Sequence, residues 1–312
     1  MTDIEKYADR AMFPAVPMNA LTPKVSLLWM TPDPLGAIAA ACRMYEGQPT
    51  YDLSQITDKE RKHYFEQAMS THLKAPLEFV VFHFFLEAVP RSFTHQAVRQ
   101  RTAVFAQESM RFAVKDGFAS EAIKPPSIVH SGDDMIGRWD EMNIKIEEFY
   151  NYMIANGIPA EDAREMLPHC TSTRLNYCTN LRNLADHAGN RLCTQAQFIW
   201  RKVFSEIVNS IRTNKETYSH QGERTVIKND SAAWQYQALA NSKLFRPVCY
   251  ELNRCPFKAS FDRGCTIRER VDEYASEGIP SSRWHDEEDE SNDIPPIHPA
   301  EWLLDDQAGI TR

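Results

Sequence analysis

Residues 77–112 read LEFVVFHFFLEAVPRSFTHQAVRQRTAVFAQESMRF and combine an apolar block with a cluster of arginines. The block Phe79–Leu86 is rich in Phe and Val, which is typical of a buried strand. Pro90 suits a first helical turn, and a short apolar stripe follows it. Four arginines fall within residues 91–111. The stretch therefore predicts an anion-binding site set against a core, with a solvated helix face as the alternative interpretation.

The composition indicates a globular protein whose partners are small anions. The chain has 312 residues, is 43% hydrophobic and has a formal net charge of −8. This acidic balance argues against general binding of nucleic acid or of a membrane surface. No apolar run is long enough for a transmembrane helix, and the charged N-terminus lacks the apolar region of a secretory signal. Seven cysteines, an odd number, favour a reduced, cytoplasmic protein.

The apolar patterns predict an α+β fold, with a small antiparallel sheet formed by early strands and a helical bundle after it. Besides the apolar block Phe79–Leu86, a strand is predicted over Val25–Met30. Helices are predicted from Asp33, over 58–74, Trp139–Asn156 and Glu161–Leu167, and over Thr173–Thr213 in two pieces around Gly189. Residues 113–135 are predicted to form a loop. We expect an N-terminal arm over 1–24, a catalytic domain over 25–240 and a C-terminal extension with an acidic tail over 241–312.

A second polar group lies downstream of the arginine cluster. Steps of four and five residues predict that Arg182, Asp186 and Arg191 lie near one another on one helix, with ordinary salt bridging as the alternative. Three late cysteines, Cys249, Cys255 and Cys265, are not spaced as CxxC pairs and have no evident fourth ligand. We therefore expect thiols rather than a metal site. Glycine-rich dinucleotide and P-loop motifs are missing from the sequence.

The spacing of these polar residues resembles that of the flavin-dependent thymidylate synthases. That family carries Arg-His-Arg, then seven residues, Ser and, two places later, Arg. Here the pattern reads Arg99-Gln100-Arg101, TAVFAQE, Ser109 and Arg111. A second conserved block of the family is similar to Ala163, Arg164, Leu167 and Pro168, followed by Asn180, Arg182, Leu184 and Arg191. The resemblance covers about residues 25–210.

The resemblance implies an α+β homotetramer whose active sites combine several subunits. It implies FAD as cofactor, with NADPH as reductant and methylenetetrahydrofolate as one-carbon donor. The implied reaction is reductive methylation of dUMP at C5, giving dTMP without a cysteine nucleophile, and no Cys–His pair is evident. Two alternatives stay open: methylation or hydroxymethylation of UMP, and a non-catalytic homologue that binds flavin or nucleotide.

Carried over residue by residue, the resemblance assigns Arg191 as the catalytic residue, lying on the uracil and favouring its N3-ionised form. The implied substrate-binding residues are Gln96, Arg99, Gln107, Glu108, Ser109, Arg111, Arg164 and Arg191. The implied cofactor-binding residues are His72, Arg99, Gln100, Arg101, Thr102, Asn180, Arg182 and Asp186. No metal site is implied.

The sequence departs from the family's motif at positions that surround both ligands. Gln100 stands where the family has His, and Phe79 stands where it usually has another His. The family usually has Ser, Asn and Glu at the positions of Val104, Ala106 and Gln107. We expect Glu108 to replace the displaced acid. These departures are the reason why UMP stays open as an alternative acceptor.

Overall fold

A computed structural model describes residues 23–193, 196–213, 216–220, 223–227, 233–252 and 255–256. At its centre lies a six-stranded sheet in the order β3-β4-β2-β1-β5-β6. Its strands are Lys24–Met30 (β1), Val81–Pro90 (β2), Val104–Gln107 (β3), Ser172–Asn180 (β4), Glu216–His220 (β5) and Glu223–Ile227 (β6). Neighbouring strands pair antiparallel except β1 and β5, which are parallel. The predicted α+β class is confirmed, and the sheet is antiparallel apart from that one pairing.

Helices flank this sheet. They are Pro34–Tyr45 (α1), Asp58–Ser70 (α2), Arg91–Ala97 (α3), Pro126–Val129 (α4), Asp133–Ala155 (α5), Ala160–Ala163 (α6), Leu181–Arg191 (α7), Phe198–Thr213 (α8), Ala233–Ala240 (α9) and Val248–Leu252 (α10). Short 3₁₀ turns occur at Leu53–Gln55, Ala75–Phe79, Phe118–Glu121, Arg164–Met166 and Lys243–Phe245. Helix α1 begins where the sequence predicts, because the Asp33 carboxylate accepts from the Gly36 amide and Pro34 takes an early position.

The central strand β2 is held by side chains that alternate in their burial. Phe82, Phe84 and Leu86 face the core and are at most 1% exposed. Phe84 lies opposite Leu27 of β1 and Tyr177 of β4. Its ring stacks on that of Tyr177, with 6.0 Å between the ring centroids. The apolar block of the sequence is therefore the middle of the sheet, and Tyr177 is anchored beside it.

The prediction of helix over Thr173–Thr213 is wrong in its first part. Residues 172–180 form β4, in which alternate side chains are buried. Thr173, Leu175 and Tyr177 point into the core with a period of two, which is the repeat of a strand. The interruption between the two predicted helical pieces lies after Arg191, between α7 and α8, rather than around Gly189.

Several other boundaries differ from the sequence predictions. Residues 113–135 contain the Phe118–Glu121 turn, α4 and the start of α5, so they are not simply a loop. The predicted helix Glu161–Leu167 is α6 followed by a 3₁₀ turn. Most of the predicted arm, the acidic tail and Cys265 lie outside the described residues, and the domain boundaries stay predictions. Among the described residues, no helix is long and apolar enough to cross a membrane.

Candidate active site

A chain of contacts, which we call the Gln100 network, joins Tyr177, Gln100, His187, Arg191 and Trp200. The Gln100 Oε1 accepts hydrogen bonds from the Tyr177 hydroxyl, at 2.9 Å, and from the Nδ1–H of His187. Arg191 donates through its Nε to His187 Nε2 at 3.1 Å. The guanidinium carbon of Arg191 lies 4.3 Å from the centroid of the Trp200 ring. The predicted catalytic residue is therefore held on two sides, by an imidazole and by an indole.

Four elements of the fold position this network. Tyr177 lies on β4, and Gln100 lies in the turn after α3. His187 and Arg191 are one turn apart on α7, so their side chains share a face. Trp200, on α8, is 2% exposed, and its indole N–H donates to Gln96 Oε1 at 2.8 Å. Gln96 in turn donates to Gln197 Oε1 at 2.7 Å, so this predicted substrate ligand orients the indole.

The electrostatics of the network favour a neutral imidazole beside a cationic guanidinium. Burial, together with the charge of Arg191, lowers the pKa of His187 to about 4. Burial also lowers the pKa of Arg191, whose ordinary value is so high that the group stays charged. A neutral His187 has a lone pair on one ring nitrogen, and Nε2 uses it to accept from Arg191. The site therefore presents one cation held by neutral groups in a partly desolvated place.

A second group, the anion cluster, consists of Arg91, Arg99, Arg164, His95 and His169. Burial and the neighbouring charge of Arg164 lower the pKa of Arg91, although Glu108 opposes them. Burial and the charges of Arg91, His169 and Arg99 lower the pKa of His95. The rings of His95 and His169 meet edge to face at 5.1 Å. Like charges held this close create a place where an anion is stabilised.

Two predicted phosphate ligands lie at the protein surface beside a carboxylate. Arg111 donates to Glu161 Oε2 from Nε at 3.1 Å and from a terminal nitrogen at 2.8 Å, and both side chains are about half exposed. Arg164 donates from Nε to the backbone carbonyl of Glu161 at 3.0 Å. The Ser109 hydroxyl accepts from the Arg111 amide at 3.3 Å. Glu161 therefore accepts hydrogen bonds from the guanidinium of Arg111, which is a donor that a phosphate would use.

The remaining residues of the first motif divide between surface and interior. Arg99 and Arg101 are exposed, and so is Thr102, whose carbonyl accepts from Thr179 and Asn183. Gln107 donates to the Thr94 hydroxyl at 3.0 Å. Glu108 accepts from Lys115 Nζ at 2.6 Å, so the acid expected to replace a motif residue is already paired with a lysine.

A cavity of about 390 Å³ lies on the opposite side of α7. Its lining includes Arg182, Asp186 and Gly189 of that helix. Residues 243–250 supply another wall, and a Cβ placed at Gly189 would lie 3.6 Å from the Val248 Cβ. Four cationic side chains line the cavity: Lys74, Arg182, Lys243 and Arg246. The volume and charge suit part of an anionic ligand with a flat apolar body.

The structure separates residues that the sequence analysis places together. Arg182 and Asp186 line this cavity, whereas Arg191 contacts His187 and Trp200. Nine residues correspond to about two and a half helical turns, so Arg182 and Arg191 lie on opposite sides of α7. The prediction that these three residues lie near one another is therefore confirmed for Arg182 and Asp186 and wrong for Arg191. Arg182 pairs with Glu78 at 2.5 Å, and Asn180 caps α7 by accepting from the Asn183 amide at 2.9 Å.

The structure also shows where two further predicted cofactor-binding residues lie. His72 is exposed in the bend after α2, two residues before Lys74 of the cavity wall. Gln100 faces inward, where its oxygen serves Tyr177 and His187 and its amide nitrogen donates to the Asn183 carbonyl at 3.4 Å. Its side chain is therefore committed to protein groups rather than directed to a cofactor.

Sequence reasoning missed His187, Trp200, Tyr177 and Glu161 as parts of the site. His187 had a usable signal, because it precedes Arg191 by four residues on a helix. The other three come from distant segments whose pairing follows from the fold. The late cysteines Cys249 and Cys255 lie among the described residues, which contain no cluster of three or more groups suited to a metal ion.

This fold and these clusters define a class of protein: an α+β protein with grouped arginines that are suited to an anionic ligand. Comparison with known proteins gives the family. The family described as Thymidylate synthase complementing protein matches residues 26–214, which is more than half of the chain. The chain therefore belongs to this family.

Individual relatives agree with that assignment. A flavin-dependent thymidylate synthase from Pyrococcus horikoshii is 29% identical over 250 residues, covering 79% of this chain and 95% of the relative. Another, from Sulfolobus acidocaldarius, is 28% identical over 210 residues, covering 65% of this chain and 78% of the relative. A crystal structure of flavin-dependent thymidylate synthase ThyX from Helicobacter pylori, complexed with FAD and dUMP, matches with a TM-score of 0.48 and 13% identity. That match covers 69% of this chain and 99% of the other, and the fold assignment above does not depend on it.

Proposed function

We propose that the protein catalyses FAD-dependent reductive methylation of dUMP at C5, giving dTMP, with methylenetetrahydrofolate as carbon donor and NADPH as reductant. The observation that carries the proposal is the family match over residues 26–214, together with Arg191 held over Trp200. A scaffold protein has no need of a partly buried arginine oriented by two neighbours, whereas a site for an anionic ring does.

The nucleotide is held by both clusters in this proposal. Its phosphate binds at the anion cluster through Arg99 and Arg164. Ser109 and Arg111 donate further hydrogen bonds once the ion pair between Arg111 and Glu161 has opened. Gln107 and Glu108 lie at the end of β3, at the edge of the same region. Arg91 belongs to this set, because its charge and that of Arg99 both lower the pKa of His95. The uracil lies against Arg191, and Gln96 keeps the indole beneath that guanidinium in place.

The residues around the α7 cavity fit part of an FAD molecule. Its cationic rim suits a pyrophosphate, and its apolar lining suits a flat ring. Arg182 and Asp186 would contact the cofactor directly there, with Asn180 at the start of the same helix and Arg101, Thr102 and His72 at its margins. Gln100 does not fit its predicted cofactor contact, since its oxygen accepts two hydrogen bonds from protein groups.

Bound FAD supplies the redox chemistry, passing hydride equivalents from NADPH to the new one-carbon unit. The protein's own part is to bind, orient and stabilise charge. Arg191 stabilises negative charge on the uracil ring, and its partly desolvated position strengthens that effect. Neutral His187 holds Arg191 without adding a competing charge. No cysteine nucleophile is required, and the nearest candidates are not paired with a histidine in the network.

A second candidate function is the same reaction on UMP, or formation of a hydroxymethyl product. It is favoured by one specific observation, the altered motif around the ligands. Gln100 is turned inward, and Gln107 is bonded to Thr94, at positions where the family has His and Glu. A changed pocket of this kind is the expected basis for a changed acceptor.

We also propose that the protein acts as a homo-oligomer, with a tetramer as the expected state, in the reduced cytoplasm. Support comes from α5, in which Met135, Met142 and Phe149 recur every seven residues and are 42–57% exposed. Tyr152 continues this stripe and is 64% exposed. An apolar stripe on a long helix is typical of a surface that packs against a partner. Cys42, Cys170 and Cys178 are free thiols, as expected in a reducing compartment.

The test is an assay of the purified full chain with FAD, NADPH and methylenetetrahydrofolate, with dUMP and UMP supplied in parallel. Product masses identify the acceptor and the transferred group, and reactions that lack one component are the controls. The proposal predicts dTMP from dUMP and no product when FAD or NADPH is omitted. Product from UMP alone would replace it with the second candidate, and no product from either would contradict both.

A further inference from the structure

His187, a residue that the sequence analysis does not assign to the site, places its imidazole between Gln100 and Arg191. We propose that His187 is a positioning residue: Gln100 fixes its tautomer, and His187 fixes the guanidinium of Arg191 for the nucleotide ring. The inference rests on the proposed role of Arg191 in binding that ring. It assigns a role to a residue that lies within the span of the second conserved block, at a position that the motif leaves unspecified.

The first step concerns proton placement. An arginine side chain has only donors, so His187 Nε2 must accept the hydrogen bond from Arg191 Nε. The proton of a neutral imidazole is then on Nδ1, which donates to Gln100 Oε1. Both contacts agree with a single tautomer, and each fails if the proton moves to the other nitrogen.

The second step concerns what keeps Gln100 in its orientation. Its oxygen also accepts from the Tyr177 hydroxyl at 2.9 Å, and its amide nitrogen donates to the Asn183 carbonyl at 3.4 Å. Turning the amide over would place a donor against the Nδ1–H of His187 and an acceptor against the Asn183 carbonyl, so it would lose both of those contacts. Tyr177 is itself stacked on Phe105 at 5.2 Å, so the chain of contacts begins at the sheet.

The third step concerns the ring of His187. It packs on Trp200 at 4.9 Å and on Phe204 at 5.5 Å between centroids. Packing sets the plane of the imidazole, and Gln100 sets its protons. Arg191 thus meets a fixed acceptor on one side and a fixed indole face on the other. This contact uses Nε, which leaves the two terminal amino groups of the guanidinium to bind a ligand.

This arrangement explains why a glutamine is suited to position 100. The family's motif has a histidine at this position, whereas here a histidine on α7 meets a glutamine. A glutamine oxygen can accept from Tyr177 and His187 at once, because a carbonyl oxygen has two lone pairs. Gln100 and His187 therefore form one unit, and we expect the effects of substituting them to be coupled.

The test compares His187→Phe with wild type in two measurements on the purified full chain. Phenylalanine keeps the ring packing and removes both nitrogens. We expect the dissociation constant of dUMP, measured by calorimetry, to rise about tenfold, and kcat/KM to fall by at least about tenfold. His187→Gln, which offers an amide oxygen to Arg191, should retain more affinity than His187→Phe. His83→Phe is the matched control, because His83 also bonds an amide side chain, that of Asn176 at 3.2 Å, outside the network.

Coupling separates positioning from general structural damage. If His187 acts through Arg191, then His187→Phe added to Arg191→Ala should cause no further loss. Gln100→Met removes the acceptor at nearly constant shape and should likewise add nothing in a His187→Phe background. Independent, multiplicative losses would overturn the inference, and so would wild-type dUMP affinity in His187→Phe. If wild type binds dUMP and gives no dTMP, the proposed function fails, while the affinities of the variants still decide this inference.

Discussion

Truncation of Arg191 to alanine should reduce catalysis and leave the fold intact. Arg191 is half-buried, bonded to His187 at 3.1 Å and stacked over Trp200 at 4.3 Å. A unit charge about 4 Å from charge developing on the ring contributes up to about 4 kcal/mol at an effective dielectric constant near 20. Removal of one such preorganised donor typically costs about 3–4 kcal/mol in the transition state. Since about 1.4 kcal/mol corresponds to tenfold, kcat/KM should fall by between about a hundredfold and a thousandfold.

The stability of this variant should change little, because the lost cation–π contact, about 1 kcal/mol, is offset by removal of a buried charge. Steady-state kinetics with dUMP, together with circular dichroism and a melting curve, check both parts. Arg138→Ala is the matched control, since Arg138 makes an exposed salt bridge with Asp134 on α5. Wild-type kcat/KM in Arg191→Ala, or an equal loss in Arg138→Ala, would refute the assigned role.

Three further predictions concern other parts of the molecule. Asp33→Ala should lower the free energy of unfolding by about 2–4 kcal/mol, because it removes the α1 cap and takes from Arg61, which is 11% exposed, the closer of its two carboxylate partners; denaturant titration measures this. Burial favours a raised pKa for Asp33, but hydrogen bonds from Arg61, Gln235 and the Gly36 amide outweigh it and lower the pKa, so this stability is present above about pH 4 and is lost as the pH falls through the lowered value. Glu161→Gln should tighten dUMP binding by up to about fivefold, because it frees Arg111 from an exposed ion pair; calorimetry measures this. Arg182→Ala should weaken FAD binding by about tenfold with little effect on dUMP; flavin fluorescence and calorimetry measure the two affinities.

Each of these predictions has its own control. Asp52→Ala removes the cap of an exposed 3₁₀ turn and should lower the free energy of unfolding much less than Asp33→Ala does, so equal losses at Asp33 and Asp52 would refute the first prediction. Glu141→Gln, which breaks an exposed ion pair with Lys145 on α5, should leave dUMP affinity unchanged, and the second prediction fails if Glu161→Gln does the same. Loss of dUMP affinity in Arg182→Ala, with FAD binding intact, would reverse the assignment of the α7 cavity.

Much of the fold could be predicted from local patterns. The cap at Asp33 and the apolar block of β2 carry signals within a few residues, and both elements appear where expected. The strand β4 carried an equally local signal, the alternation of Thr173, Leu175 and Tyr177, but its polar intervening residues and the helix that follows directly favoured a helical interpretation. When a strand is followed directly by a helix, the presence of a regular element is easier to predict than whether its repeat is that of a strand or of a helix.

The candidate site could be predicted only in part, for a different reason. Motif spacing identified Arg99, Arg164 and Arg191, because each is a fixed distance from other motif residues. The contacts of Gln100 with Tyr177 and His187 span 77 and 87 residues of chain, and only the fold brings them together. Arg182 and Arg191 show the reverse error, since they are near in sequence and yet lie on opposite sides of one helix.

The most direct test of the central claim follows the transferred carbon. The full chain is incubated with dUMP, FAD, NADPH and methylenetetrahydrofolate whose methylene group carries two deuterium atoms, and the nucleotide product is analysed by mass spectrometry. The account predicts dTMP with both deuterium atoms in its new methyl group and a third hydrogen supplied by reduction. Recovery of unchanged dUMP, or of a hydroxymethylated nucleotide in place of dTMP, would contradict it.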